Sequence, residues 1–326
     1  AVPHGVNFRR KSLTIAGARC IPHRKTGAGK IGAGIGWGDL RIDAEMSERY
    51  NRSKKHKRGI PMTVSLGDIR LFLLDMDGTF YLGDTLLPGA LEFLEQCREK
   101  GTAFSFLTNN SSRGKADYLH KLQRMGVPNI TEREVFTSGD ATLMYLREQN
   151  IGKELLLIGT PSLEEQFTRS GYHTASPHPE AVVLGFDTTL TYQKLTDLCN
   201  AVRSGLPYIA THPDLNCPVA GGYIPDIGAT IAYVEAATGR RPDAVIGKPN
   251  RYIAQAAARR FGCRLDEVCM VGDRLYTDIA LGACGCKTVL VLCGESQRED
   301  LKGASHQPDL VSRDLAELLE IWKKNE

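Results

Sequence analysis

Residues 71–79, LFLLDMDGT, run four apolar side chains straight into two carboxylates one residue apart, followed by a glycine. Leu71 to Leu74 read as a strand covered on both faces, as in a parallel sheet. Asp75 and Asp77 then stand where that strand emerges, and Gly78 suits a tight turn. In open α/β sheets, ligands bind outside the carboxyl ends of the strands. Two acids held together there repel each other unless a cation or a lysine balances them.

Three more strand ends carry candidate partners. FSFLTNN places Thr108, Asn109 and Asn110 after an apolar run, where a hydroxyl and an amide can bond phosphate oxygens or simply cap a helix. AVIGKPN sets Lys248 between Gly247 and Pro249, a fixed backbone from which an ammonium can act as a point charge on phosphate. A lysine at such a place is otherwise ordinary surface. VCMVGDRLYTD places Asp273 after a strand and Asp278 five residues later. Taken singly, a Gly-Asp turn carries no information; taken together, acid–acid, hydroxyl, lysine and acid describe a site for an anion and a cation.

The elements that must position these groups alternate between strand and helix. A strand at 70–75 precedes a helix from about Pro88 to Lys100, opened by proline and stopped by Gly101. The next strand is 102–108, and a helix over 112–126 ends at Gly126. Further strands are expected at 154–159, 181–186, 207–211, 243–247, 267–272 and 287–292. This alternation predicts an α/β protein with a doubly wound, Rossmann-like parallel sheet. The strands are too many for one sheet, so a second, smaller α/β unit is expected inside the chain. Residues 212–229, HPDLNCPVAGGYIPDIGA, read as a long loop, and loops of that size are usually functional.

With DMDGT at 75–79, Thr108–Asn109, Lys248 and GDRLYTD at 272–278 in that order, residues 68–320 resemble the haloacid dehalogenase-like (HAD) superfamily of phosphohydrolases. LTNNSS (107–112), FTSGDAT (136–142), GYIPDIGA (222–229), TGRRP (238–242) and IGKP (246–249) are similar to its class II capped, NagD-like and 4-nitrophenylphosphatase-like subfamily. The resemblance implies a catalytic core over 66–138 and 241–322, with an inserted cap over 139–240. It also implies hydrolysis of small-molecule phosphate monoesters, such as a sugar phosphate or nucleotide, through an aspartyl-phosphate. Asp75 would attack phosphorus, and Asp77 would protonate the leaving alkoxide and then deprotonate water. Mg²⁺ would be held by the Asp75 carboxylate, the Asp77 main-chain carbonyl and Asp273. Asp278 would orient Lys248 or a metal-bound water, while Thr108, Asn109 and Lys248 neutralise phosphate oxygens. Asp214 would touch the leaving group or form a Pro-Asp turn. The subfamily usually reads Asn-Pro-Asp where this chain has His212-Pro213-Asp214.

Two other readings share parts of the pattern. A receiver-like phosphate-binding signalling module also gathers acids, a threonine and a lysine at strand ends, but its phosphate acceptor lies on a later strand, and none here supplies an acid before Thr108. A phosphotransferase or phosphomutase on the same fold would replace water by a second hydroxyl, and the residues do not distinguish it.

Composition sets the remaining bounds. Residues 1–60 carry 14 Lys/Arg against 4 Asp/Glu, a net of +10 in a chain of net +3, so the rest is −7. That balance gives no reason to expect nucleic acid as a partner of the core. Residues 1–65 read as a disordered basic, Gly-rich extension, whose NRSKKHKRG run could bind nucleic acid or an anionic surface. Gly27 to Gly32 match GxGxxG only formally, since no apolar strand precedes them, and Ile31 after Lys30 rules out a Walker A loop. Met62 could be the natural start. The nine cysteines show no zinc-type spacing and are expected as free thiols of a cytoplasmic protein. No apolar run is long enough to span a membrane. A homodimer through the cap is one arrangement the sequence allows.

Overall fold

Strand β1 (Leu71–Leu74) is buried over its whole length, as a central parallel strand requires. Each of its four side chains contributes roughly 2 kcal/mol by leaving water, which anchors the acids that follow. The computed structural model describes residues 65–219 and 221–324; the glycine-rich and basic leader and Met62 lie outside them. After β1 come a small antiparallel hairpin, β2 (Tyr81–Leu82) and β3 (Thr85–Leu86), then α1 (Ala90–Lys100), β4 (Ala103–Thr108), α2 (Lys115–Arg124), β5 (Val135–Thr137) and α3 (Ser138–Glu148). The middle of the chain holds β6 (Leu155–Ile158), α4 (Pro161–Arg169), β7 (Ala181–Leu184), α5 (Tyr192–Arg203), β8 (Tyr208–Ala210), β9 (Asn216–Val219), β10 (Gly222–Pro225), α6 (Ile227–Thr238) and β11 (Ala244–Val245). It closes with α7 (Arg251–Phe261), β12 (Val268–Gly272), β13 (Lys287–Val291), β14 (Leu310–Ser312) and α8 (Leu315–Lys324).

Six strands form the larger sheet in the order β14-β13-β12-β1-β4-β5, every neighbour parallel. Leu74 lies opposite both Val271 and Phe106, so β1, β12 and β4 end at one edge and deliver Asp75, Asp273 and Thr108 together. Successive side chains of β1 and β4 enter opposite layers. Phe72, Leu74, Phe104 and Phe106 pack with Phe93 and Trp322 of α1 and α8. Leu71, Leu73 and Leu107 pack with Phe136, Ala254 and Ala257. The Phe72 ring sits 5.1 Å from Phe93 and 4.9 Å from Trp322, centroid to centroid. This is the doubly wound α/β core the alternation predicts.

The surplus strands make a second parallel sheet, β11-β8-β7-β6, with its own apolar layer of Ile158, Val182, Leu184, Leu198 and Val234. Helix α3 packs on α7 and β5, and its Ala141, Leu143 and Leu146 share an apolar cluster with Leu155, Leu157, Ala181 and Val183 of this sheet, which β11 joins. Residues 212–229 correct the expectation of a long loop. They form the antiparallel ribbon β9–β10 and the start of α6. Pro218 and Pro225 argue against strands in sequence, yet a two-stranded ribbon has outer edges where a missing N–H goes unnoticed. Among the described residues, no helix is long and apolar enough to cross a membrane, and the eight cysteines are free.

Candidate active site

Lys248 is the hub of the strand-end cluster. Its side chain is 4% exposed, and its ammonium has three donors. They bond Asp75 Oδ1 at 2.5 Å and the Leu107 carbonyl at 3.1 Å, and the ammonium forms an ion pair with Asp278 Oδ1 at 2.7 Å. Burial works against the charge, but Asp278 and Asp75 outweigh it and hold the lysine pKa above its ordinary value. The Lys248–Pro249 peptide is cis.

Asn109 fixes the backbone on which Lys248 stands. Its Oδ1 accepts from Lys248 N at 2.7 Å, and its Nδ2 donates to the Lys248 carbonyl at 2.9 Å. The same Nδ2 donates to Asp214 Oδ1 at 3.0 Å. Both ends of the amide are thus engaged inside the protein. Gly247 makes the approach feasible, since a Cβ there would come within 2.5 Å of Asn109 Oδ1. Thr108 is buried at the end of β4 and lines the cleft, its Oγ1 accepting from Asn110 N at 3.1 Å.

Asp75, Asp273 and Asp278 bring carboxylate oxygens within 4.8 Å of one another. Asp273 Oδ2 accepts from Glu295 N at 2.7 Å, whereas its Oδ1 is buried with no hydrogen-bond partner. Burial and then the neighbouring Asp75 and Asp278 charges push the Asp273 pKa up. Asp278, fully buried, is pushed up by burial as well, although Lys248 opposes this. Its Oδ2 accepts from Arg274 N at 3.1 Å, so Asp278 is held between the Lys248 ammonium and the Arg274 main-chain N–H. An orphaned buried carboxylate oxygen facing two further acids lacks positive charge, and hard oxygen donors of this kind suit a small divalent cation. The residues therefore fit Mg²⁺. Asp278 shares the cluster, yet its oxygens already serve Lys248 and the main chain.

Asp77 stands at the mouth, its side chain 56% exposed. Tyr81 Oη donates to its Oδ2 at 3.4 Å, and Lys121 Nζ lies 3.9 Å from its Oδ1. Surrounding protein and the nearby Asp75 charge raise its pKa, with Lys121 opposing.

These groups line one cleft that opens to solvent. Asp75, Asp77, Thr108, Asn109, Asp214 and Lys248 reach it, whereas Asp273 and Asp278 lie buried beside it. Asp214 contributes to the wall, but one of its oxygens is taken by Asn109. Asn110 lines it too, and the sequence reading missed further lining residues: Arg274, Thr277, Asp226, and Asn216, Cys217 and Pro218 of strand β9. Arg274 pairs with Glu295 at 3.0 Å. Burial opposes its charge, but Asp75 and the other acids around it push its pKa up. Arg274 stands inside the GDRLYTD segment and was legible there; the β9 residues had no signal beyond the glycine- and proline-rich composition around them.

Residues 72–173 match the haloacid dehalogenase-like hydrolase family, and residues 245–318 match the HAD-hydrolase-like family. The chain belongs to the haloacid dehalogenase-like hydrolases, within which it is a phosphoric monoester hydrolase. Among the solved structures it resembles, 4-nitrophenylphosphatase from Thermotoga maritima is 47% identical with a TM-score of 0.76, over 78% of this chain and 98% of that one. Human glycerol-3-phosphate phosphatase is 34% identical over 76% of this chain and 86% of its own. Glycerol phosphate phosphatase from Mycobacterium tuberculosis, solved in complex with magnesium, is 30% identical with a TM-score of 0.72, over 78% of each chain.

Proposed function

We propose that the cleft hydrolyses small-molecule phosphate monoesters by a Mg²⁺-dependent, two-step displacement at Asp75. The observation that carries this reading is the convergence of Asp75, Asp273 and Asp278 around Lys248, with one Asp273 oxygen left for a cation. The Asp75 carboxylate attacks phosphorus, the ester P–O bond breaks, and Asp77 hands its proton to the departing alkoxide. Its raised pKa favours that role. The Asp77 carboxylate then takes a proton from water, which attacks the aspartyl-phosphate and releases inorganic phosphate and free Asp75.

Lys248, Thr108 and the main chain around Asn109 bind the equatorial phosphate oxygens; the Asn109 side chain serves chiefly to set Lys248. The Asp75 and Asp273 carboxylates and the Asp77 carbonyl would hold Mg²⁺, and Asp278 orients Lys248. When bound, the cation offsets the charge shared by the carboxylates and the phosphate. Sugar, glycerol and nucleotide phosphates are the substrate class; the relatives named above, each acting on phosphate esters, support it. We read the second sheet and its helices as a cap that shelters the site from bulk water.

The test is a panel of phosphate monoesters scored by inorganic phosphate with Mg²⁺, comparing the wild type with Asp75→Asn. The variant should fall by about a thousandfold or more while keeping its circular dichroism spectrum. Activity retained above a few per cent would remove Asp75 as nucleophile. Transfer to an added alcohol in place of phosphate release would mark a phosphotransferase.

A further inference from the structure

His212 is completely buried, lies two residues past the end of strand β8, and uses both ring nitrogens. Nδ1 lies 3.0 Å from Thr211 Oγ1, which in turn lies 3.0 Å from Ser111 Oγ. Ser111 Oγ accepts from Phe186 N at 2.9 Å, so this hydroxyl chain ties the segment after β4 to the end of β7. Nε2 lies 3.0 Å from Asp226 Oδ1. Asp226 is where the ribbon ends and α6 begins; its Oδ1 also accepts from Ile227 N at 2.5 Å. The ribbon's two ends are pinned to each other as well. Asp226 N donates to the Leu215 carbonyl at 2.9 Å, and Gly228 N donates to the Asp214 carbonyl at 2.7 Å. His212 thus stands just before the ribbon and grips the residue just after it. The ribbon in turn presents Asn216, Cys217 and Pro218 to the cleft.

We propose that His212 is a positioning residue for substrate choice: through Asp226 it sets the base of the β9–β10 ribbon, and thereby the wall against which the leaving group packs. This inference rests on the phosphatase reading above. His212 itself does not line the cleft and touches none of the groups assigned to phosphate or metal. Its removal should therefore weaken binding of leaving groups long enough to reach the ribbon and leave the chemistry at Asp75 alone. An asparagine, which is shorter, cannot span Thr211 and Asp226 together. Glutamine can still place an amide N–H near Asp226 Oδ1.

The experiment compares wild type, His212→Ala, His212→Gln and Asp226→Asn on three substrates with Mg²⁺. Acetyl phosphate carries a small leaving group; 4-nitrophenyl phosphate and a hexose 6-phosphate carry large ones. For His212→Ala, KM should rise about tenfold on the large substrates with kcat within about twofold, and neither constant should move on acetyl phosphate. His212→Gln should recover most of the KM. Asp226→Asn keeps the oxygen that caps α6 and should fold even if His212→Ala does not; because Asp226 also lines the cleft, its KM should rise on the same two substrates at least as much as that of His212→Ala, and not on acetyl phosphate.

Equal KM values across all variants would overturn the proposal, as would a uniform fall in kcat on all three substrates. A wild type that releases no phosphate from any substrate would instead overturn the phosphatase reading, and the inference with it.

Discussion

Asp75 and Lys248, 173 residues apart in the chain, meet at 2.5 Å beneath the cleft. That contact joins the end of β1 in the larger sheet to the segment that follows β11 of the smaller one. It also means that Lys248 neutralises the Asp75 carboxylate, the proposed nucleophile, whenever neither cation nor substrate does so. Removing it leaves Asp75, Asp273 and Asp278 crowded with little compensation. Lys248→Met should destabilise the metal-free protein by roughly 3 kcal/mol, since breaking a buried ion pair strands a charge. Urea unfolding in chelator measures this. Saturating Mg²⁺ should return part of the loss, because the cation takes over the neutralising role; an unchanged midpoint in chelator would contradict the hub assignment.

The orphaned Asp273 oxygen predicts a cation response that needs no turnover to be seen. EDTA should stop phosphate release and Mg²⁺ should restore it. The melting temperature should also rise with Mg²⁺, because a ligand that binds only the folded state at 100 times its Kd adds about 2.7 kcal/mol. Asp273→Asn should abolish both responses. Full activity in excess EDTA would remove Asp75 and Asp273 as metal ligands.

Gly294 abuts the same carboxylate so closely that any added Cβ would overlap Asp273 Oδ2. Gly294→Ala should therefore displace the carboxylate without altering any charge. The expected result is a Mg²⁺ requirement raised by about tenfold or more in activity titrations, with kcat partly restored at high Mg²⁺. An unaltered titration would mean that Asp273 does not hold the cation.

His212 gives a pH signature. Burial lowers its pKa, but Asp226, helped by Asp214 and opposed by Lys248, leaves it above the ordinary value of about 6.5. A folded-state pKa raised in this way contributes stability that is fully present below about pH 6.5 and lost as pH climbs through the folded value. The uncharged His212→Gln variant lacks that contribution. Its deficit relative to wild type should thus be largest near about pH 5.5 and shrink towards about pH 9, read as the difference in urea midpoints. A deficit that grows with pH would show that burial, and not Asp226, governs the ring.

Much of the site could be read from the chain because its groups hang on strand ends. A buried run such as Leu71–Leu74 announces a central strand, and whatever polar residue follows must emerge at the ligand edge. Asp75, Thr108, Lys248 and Asp273 were legible for that reason. Asn109 was found, but as a phosphate contact; only the coordinates show its amide committed to Lys248 and Asp214. The β9–β10 ribbon escaped because its pattern, NCPV and GYIP, lacks the alternation that marks a half-buried strand. The β2–β3 hairpin escaped because two-residue strands leave no period at all. Nor could His212 have been paired with Asp226 in advance, since fourteen residues and a turn separate them.

Gly78, Gly272 and Gly294 share one property: a methyl group on any of them would overlap Asp273 or Asp278. The floor beneath the phosphate is shaped by side chains that are missing, so it tolerates almost no retuning. Anyone seeking to redirect this phosphatase towards another ester should leave those positions untouched and randomise residues 216–218 instead, which line the cleft on the exposed ribbon.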